Sequence, residues 1–472
     1  MKKITKAVMM AAFPLFLAAC GTASTPAPAP AVPAPAPAPA PVTPAPAPVI
    51  TEVEADWTPA DAGDVTINVS WWGVEGRANA MTAAFDLFTQ RYPNITIAYD
   101  WGAFGGHLDN LTLQMATQVE PDIMQVNYAW VHSLAPDAQN VFLDLNTVSD
   151  FIDLSEWTPG DLQFMTVGGE LAGVPHGMNG RVVVYNRLLL EEFGLSTFPA
   201  TIEELIAFGE QVAADNNATM DLGQNRYALA NLDNLLFDLG MLTWLYAASG
   251  NPLQAGGQMQ HTVDQVQAVF ELVDQLQSTG TVQNPLQETA GFPNHNDTVW
   301  TEGRAAGALV WVSDVNNFKN TFLVEGSDHW DDLGVAPLPV PAGQTQYTMQ
   351  RPSLAHAISR NTAHPEVAAY LLNFLYTDPD AIRAIGSTLG VPFSRTAGAI
   401  TWAEGIVSAP QIAGMNIIGQ NVAVIDEYFE DPRLRNPRQD ILADFRHGNI
   451  DAATAAERFV SEQQAALDLI LN

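Results

Sequence analysis

Four short stretches of the sequence combine flat aromatic rings with polar or charged side chains, two of them with glycine as well. They read W-W-G-V-E-G-R at 71–77, W-G-A-F-G-G-H at 101–107, N-Y-A-W at 127–130 and W-V-S-D at 311–314. A polyhydroxylated solute requires this mixture, because a ring covers an apolar C–H face while paired polar groups replace water on each hydroxyl. Non-covalent recognition of a sugar is therefore the chemistry these residues suit. Strand alternation sends Trp71 and Trp72 to opposite faces, so one ring belongs to a core and Trp72 is assigned to the site. Glu75 and Arg77 flank Gly76 just ahead of a helix, where a charge on the helix dipole and a solvated cation would explain them equally well. His107 opens a helix after Gly105 and Gly106, and Asn127 and Trp130 follow a strand end, where ordinary capping and loop packing compete with a binding role. Trp311 closes a short apolar strand that runs into Ser313 and Asp314, and its ring is expected against a sugar face.

Covalent chemistry finds less support. The chain has no Gly-x-Ser-x-Gly, no His-Glu-x-x-His and no phosphate-binding loop. Its nine histidines show no metal-ligand spacing, so neither a metal nor any other cofactor is expected. Carboxylates are abundant, and a secreted glycosidase needs only two of them facing each other across a bond, so a carbohydrate-active enzyme is the alternative reading. A sugar receptor that feeds no transporter is a third.

These stretches sit at the ends of predicted strands. A strand over 65–71 leads through the 72–76 loop to a helix whose apolar residues Ala78, Met81, Phe85 and Phe88 have helical spacing, and Tyr92-Pro93-Asn94 ends it. Ile95, Ile97 and Tyr99 alternate as a second strand, a helix with Leu108, Leu111 and Met115 on one face follows, and Pro121 introduces a third strand over 122–126. Strand-helix-strand-helix-strand with short links predicts a parallel α/β sheet, whose ligands lie beyond the carboxyl ends of the strands. Further on, the pattern predicts a strand over 182–185, a buried helix over 229–248 carrying Trp244, and a short buried strand over 305–312.

With 472 residues, 47% of them hydrophobic and 15% charged, the chain is too long for one compact domain, and two lobes are the first expectation. Lys+Arg total 19 against 52 Asp+Glu, a formal charge of -33, which disfavours nucleic acid and anionic membrane surfaces as partners. Residues 1–20 have the parts of an export signal: Lys2, Lys3 and Lys6, an apolar run over 7–16, then Leu17-Ala18-Ala19-Cys20. The apolar run is well short of the roughly 20 residues that span a bilayer. Leu-Ala-Ala-Cys resembles the lipobox of bacterial lipoproteins, which implies cleavage after residue 19 and lipid attachment at Cys20. Residues 25–49 alternate Pro and Ala almost without interruption, and as an extended polyproline stalk the segment 26–48 would reach roughly 70 Å at about 3.1 Å per residue.

From Val65 onward the chain resembles the family 1 extracellular solute-binding proteins of ABC importers. The resemblance rests on W-W-G-V-E-G-R (71–77), F-G-G-H-L-D-N-L (104–111), P-D-I-M-Q-V-N-Y-A-W (121–130), L-A-G-V-P-H-G-M-N-G (171–180), Y-N-R-L-L-L (185–190), E-G-R-A-A-G-A-L-V-W (302–311) and H-P-E-V-A-A-Y-L-L-N-F-L (364–375), in the family's order. It implies a two-lobed α/β fold of the periplasmic-binding-protein type (type II), with the ligand in the interlobe cleft and hinge crossings between lobes. The implied layout is a signal peptide at 1–19, a lipidated stalk at 20–57, an N-terminal lobe from 58–181 plus 350–395 and a C-terminal lobe from 182–349 plus 396–472. The same resemblance places Asn179 and Arg181 at the first crossing, puts a ligand-stacking aromatic near Trp311, and brings Trp244, Asp314 and Arg351 toward the cleft. Arg351-Pro352 departs from the small residues of many relatives and would admit a cation to the cleft. The implied function is capture of a sugar or short oligosaccharide outside the cytoplasmic membrane by a non-enzymatic, monomeric protein. Its partners would be the transmembrane permease subunits, with membrane contact only through the N-terminal lipid.

Overall fold

The structure, a computed structural model, describes residues 57–134, 141–219, 225–230, 235–283, 294–322, 332–423, 425 and 428–471. The expected leader, Cys20 and the Pro/Ala stretch lie outside the described residues.

β1 (Val65–Trp72), β2 (Ile95–Gly102) and β3 (Ile123–Val126) pair in parallel with β1 between the other two, as the alternating pattern requires. α1 (Glu75–Arg91) and α2 (His107–Ala116) link them, and α3 (Tyr128–Leu134) follows β3. α1 buries Ala78, Met81, Phe85 and Phe88, the face its spacing predicted. Two short hairpins, β4 (Thr166–Val167) with β5 (Glu170–Leu171) and β7 (Gln254–Ala255) with β8 (Gln258–Met259), lie apart from the main sheet. That sheet gains β6 (Val174–Asn186), β9 (Gly307–Trp311), β10 (Leu333–Ala336), β11 (Thr348–Ile358) and β12 (Val422–Ala423). Its order is β10-β6-β11-β3-β1-β2, with β9 also on β6 and β12 on β11.

β6 is longer than the periodicity suggested: its 13 residues are buried throughout and absorb the Gly-Pro-rich stretch before Val182. Pairing explains this. β11 runs antiparallel along 174–180, and β9 and β10 take over along 181–186. Two glycines let neighbours close in, because a Cβ at Gly177 would lie 2.2 Å from the Val391 carbonyl oxygen and one at Gly180 2.7 Å from that of Met349. Across from them, Pro352 has no N–H to give the ladder, and the β11–β6 register shifts between Pro352 and Leu354.

The helix expected over 229–248 begins late. Tyr227, Leu229 and Ala230 are extended and bridge to Ala305, Val282 and Ala308, so tertiary pairing overrides the apolar run there. The helical part is a π-helix at Leu235–Trp244 followed by an α-turn at Leu245–Ser249.

One hydrophobic core draws on residues 65–174 and 354–389 and includes Trp71, Phe88 and Phe374. Two further clusters draw on 178–349 and 391–459 and include Leu309, Phe270, Trp300 and Phe459. Each large apolar side chain so buried contributes about 1.5–3 kcal/mol. β6 and β11 run from the first core into the others, which gives the molecule two lobes joined by continuous strands.

Candidate functional site

A cavity of about 410 Å³ opens between the lobes, beyond the carboxyl end of β1. One wall consists of Trp72, Val74 and Arg77 from the β1–α1 link, Ser353 and Leu354 from β11, and Ser387, Thr388, Leu389 and Gly390. The other consists of Asn179 on β6, Ser313, Asp314, Asn316 and Asn317 after β9, and Gln411. The bulge at Pro352 matters here, because it lets Ser353 and Leu354 turn toward the cavity while the Ser353 hydroxyl donates to the Gly177 carbonyl at 3.1 Å.

Arg77 folds its stem over Gly73, where a Cβ would lie 2.5 Å from its Cδ. The guanidinium donates from Nη1 to the Trp72 carbonyl at 2.9 Å and from Nε to the Thr388 carbonyl at 3.1 Å. Burial pushes it down to about 10, against the pull of Asp314. Burial likewise pushes the Asp314 carboxyl above its ordinary value, opposed by Arg181, by an Asn317 amide donating at 3.2 Å, by His295 and by Arg77. Asn179 is fixed by Ser313, donating from Nδ2 to the hydroxyl at 2.9 Å and accepting the Ser313 N–H at 3.3 Å. Asn316 donates to Gln411 Oε1 at 2.7 Å. The walls therefore present one cation, one carboxylate and a majority of neutral amides and hydroxyls, held by hydrogen bonds before any ligand arrives.

Of the residues singled out from sequence, Trp72, Arg77, Asn179 and Asp314 come together on this cavity. Trp130 and His107 stand behind it: their rings pack on Trp72 at 5.2 and 5.4 Å between centroids, and His107 Nε2 lies 3.2 Å from the Gln125 carbonyl. Burial holds His107 below its ordinary value, which favours the neutral ring. Asn127 accepts the Ala129 N–H at 3.0 Å and starts α3. Glu75 is exposed at the first turn of α1, where its charge meets the helix dipole.

Three other expected residues stand away from this cavity wall. Trp244 lies in a core of the second lobe and donates its indole N–H to the Pro339 carbonyl at 3.0 Å, because the helix that carries it is apolar and enclosed. Trp311 lies outside the cavity wall, and guanidinium carbons of Arg181 and Arg351 stand 3.7 and 4.2 Å from its ring centroid. Such distances are reached only over an aromatic face, so cations occupy the surface expected to meet a sugar. Register explains it: Trp311 pairs with Arg181 across β9–β6, and Arg351 pairs with Asn179 across β11–β6. Arg351 also pairs with Glu430 at 3.0 Å and lies over Tyr128, which draws it away from the cavity.

Asn316, Asn317, Ser387, Thr388 and Gln411 were missed. Gln411 carries the one usable signal, and it points elsewhere: Ser408-x-x-Gln411 is a capping box, and its hydrogen bonds are present. The others are single polar residues without a motif.

Two α/β lobes joined by β6 and β11, with a polar cavity between them, define the architecture of a periplasmic solute-binding protein. Solved structures share it. A periplasmic solute-binding protein of Pectobacterium atrosepticum superposes with a TM-score of 0.75 at 24% identity, over 86% of this chain and 100% of that one. An oligogalacturonide-binding protein of Yersinia enterocolitica, in complex with saturated digalacturonic acid, gives a TM-score of 0.74 at 24% identity over the same shares. By sequence, residues 72–382 match the bacterial extracellular solute-binding protein family, and this chain belongs to it. An uncharacterised ABC transporter extracellular-binding protein of Pyrococcus horikoshii is 24% identical over 332 residues, 68% of this chain and 70% of that protein.

Proposed function

We propose that this protein is the solute-capturing subunit of an ATP-driven importer and that its solute is a sugar or short oligosaccharide. The observation that carries the reading is the interlobe cavity, with Trp72 on one wall and amide and hydroxyl groups from both lobes around it. Arg77 and Asp314 face the same space with opposite charge, so the lining as a whole balances and suits a polyhydroxylated solute. The named relatives support the class: one is an ABC transporter binding protein and one holds an acidic disaccharide. Hinge closure of 58–181 plus 350–395 on 182–349 plus 396–472 would bring the two walls together around the ligand. In this reading Trp311 orders Arg181 and Arg351, and Trp72 supplies the ring for the sugar.

The protein binds without turnover. Asp314 is the single carboxylate on the cavity wall among the described residues, whereas glycoside hydrolysis uses two flanking the bond. Export through the leader and lipid attachment at Cys20 complete the proposal and place the protein outside the cytoplasmic membrane.

Calorimetric titration of the fragment starting at Thr58 with neutral and uronic saccharides tests it. Saturable binding with the saccharide recovered intact is expected. Absence of binding across the panel would sink the reading, and release of reducing ends abolished by Asp314→Asn would replace it with the glycosidase.

A further inference from the structure

Among the described residues the chain passes between the lobes three times, and the core that each residue enters locates each passage. On β6, Val174 belongs to the first core and Met178 to the second lobe; on β11 the change falls between Met349 and Leu354. The third passage is the shortest. Leu389 is buried in the first core and Val391 in the second lobe, so Gly390 alone makes the crossing. Its φ of 113° is one that residues with a Cβ rarely adopt. The soft points of all three passages coincide. The β6–β11 ladder shifts register between Pro352 and Leu354, opposite Gly177, and Gly177 bridges to Pro392 just beyond Gly390. Ser353 stands where they meet. Its hydroxyl donates to the Gly177 carbonyl at 3.1 Å, the Leu389 carbonyl is a second acceptor at 3.5 Å, and a Cβ on Gly390 would lie 2.9 Å from its oxygen. A hydroxyl has a single hydrogen for these two carbonyls, which belong to different passages. The same side chain lines the cavity, together with Leu389 and Gly390.

We propose that closure of the lobes turns on Gly390 and that Ser353 is the positioning residue that couples this turn to occupancy of the cavity. The proposal rests on the hinge closure invoked above for capture and names the atoms on which it works. Paired strands cannot turn separately without breaking ladder hydrogen bonds, so β6 and β11 bend as one ribbon where their register already shifts. Gly390 belongs to no strand and is free of that restraint. As the passages move against one another, the Ser353 hydrogen transfers between the Gly177 and Leu389 carbonyls. A solute against the Ser353 oxygen biases that choice, and the hinge follows.

Hydrogen exchange read by mass spectrometry on the ligand-free protein tests this first, in the wild type and in Ser353→Ala. Segments 174–180 and 386–393 should exchange about three- to tenfold faster in the variant, while the helices Glu75–Arg91 and Val263–Ser278 and the melting temperature stay unchanged. Equal exchange in both proteins overturns the proposal. So does faster exchange spread over both cores with a lower melting temperature, which marks a packing role. Titration with maltose and with digalacturonate then reads closure. Ser353→Ala should change both affinities by one common factor of about three to ten, because a shifted open-to-closed balance scales every ligand alike. A change for one saccharide alone makes Ser353 a ligand contact and overturns the coupling. Gly390→Ala should weaken both saccharides, and adding Ser353→Ala, which removes the oxygen its Cβ would meet, should not restore them. Restoration traces the loss to crowding and overturns the pivot. If Gly390→Ala does not fold, the exchange comparison on Ser353→Ala decides. Wild-type silence to both saccharides removes the saccharide reading of the cavity, and the exchange comparison still decides the pivot.

Discussion

At the scale of single residues, Asp314 shows how a binding group can work against the fold. Burial raises its proton affinity above the ordinary value of 3.8, so the folded state holds the proton more tightly than the unfolded chain does. The stability attached to this group is complete below 3.8 and is lost as pH rises through the raised value. Asp314→Asn should therefore melt at or above the wild-type temperature at pH 7, with the difference closing in acid. Its saccharide affinity should fall about ten- to a hundredfold, because a charge-assisted hydrogen bond is lost. A melting temperature well below wild type at pH 7 would show instead that Arg181 and Arg77 hold the carboxylate firmly. Residue types were readable here, but partners were not. Strand alternation separates Trp71, packed on Phe85 at 5.8 Å, from Trp72 on the cavity. Nothing local to Trp311 announces that Arg181 and Arg351, 130 residues before it and 40 after, will converge on its ring.

Among the elements, β6 and β11 carry a buried aromatic knot where they leave the first lobe. His176 and His356 stand 6.3 Å apart between centroids, Tyr376 hydroxyl lies 2.7 Å from His356 Nδ1, and Trp157 packs on Tyr376 while donating to the Pro175 carbonyl at 2.8 Å. Burial pushes His356 down to about 4 and His176 well below its ordinary 6.5, with Arg77 adding to both. The folded protein holds these rings neutral, whereas the unfolded chain protonates them near 6.5. Their contribution is therefore complete above 6.5 and is lost as pH falls toward about 4. Urea denaturation at pH 7 and at pH 5 should show a marked loss, shallower in the His176→Gln, His356→Gln double variant. Equal slopes in both proteins would remove the knot as the cause. The first three strands and α1 were legible because alternation and helical spacing are local signals. β6 was not: Pro175, Gly177 and Gly180 read as loop punctuation, and only pairing with β11, β9 and β10 makes them strand.

For the whole molecule, the sequence outside the described residues is as informative as the fold. The expected leader with its three lysines, a cysteine found nowhere else in the chain and a nearly continuous Pro/Ala run carry compositional expectations that need no coordinates. Cys20→Ala should move the protein from the membrane fraction to the soluble one and abolish labelling by a fatty-acid analogue. Retention of both label and membrane association would disprove attachment at Cys20. A single acyl chain binds membranes only marginally, so stable retention of the wild type requires at least two. The two-lobed plan itself was legible through seven short stretches in a fixed order; the cavity walls were not, since they combine side chains from six separate parts of the chain.

The first core draws on residues 65–174 and then on 354–389. Roughly 180 residues separate the two contributions, which at about 5–20 residues per second is a delay on the order of ten seconds or more during synthesis. Through that interval the β1–β3 sheet lacks β11 beside β3 and the helix Pro365–Thr377 that covers part of its core. The leading lobe is therefore expected to stay incompletely packed while the chain is being made, a state that would suit passage through a translocation channel. An interrupted lobe of this kind would delay its own completion until residues 354–389, in the last quarter of the chain, have been made.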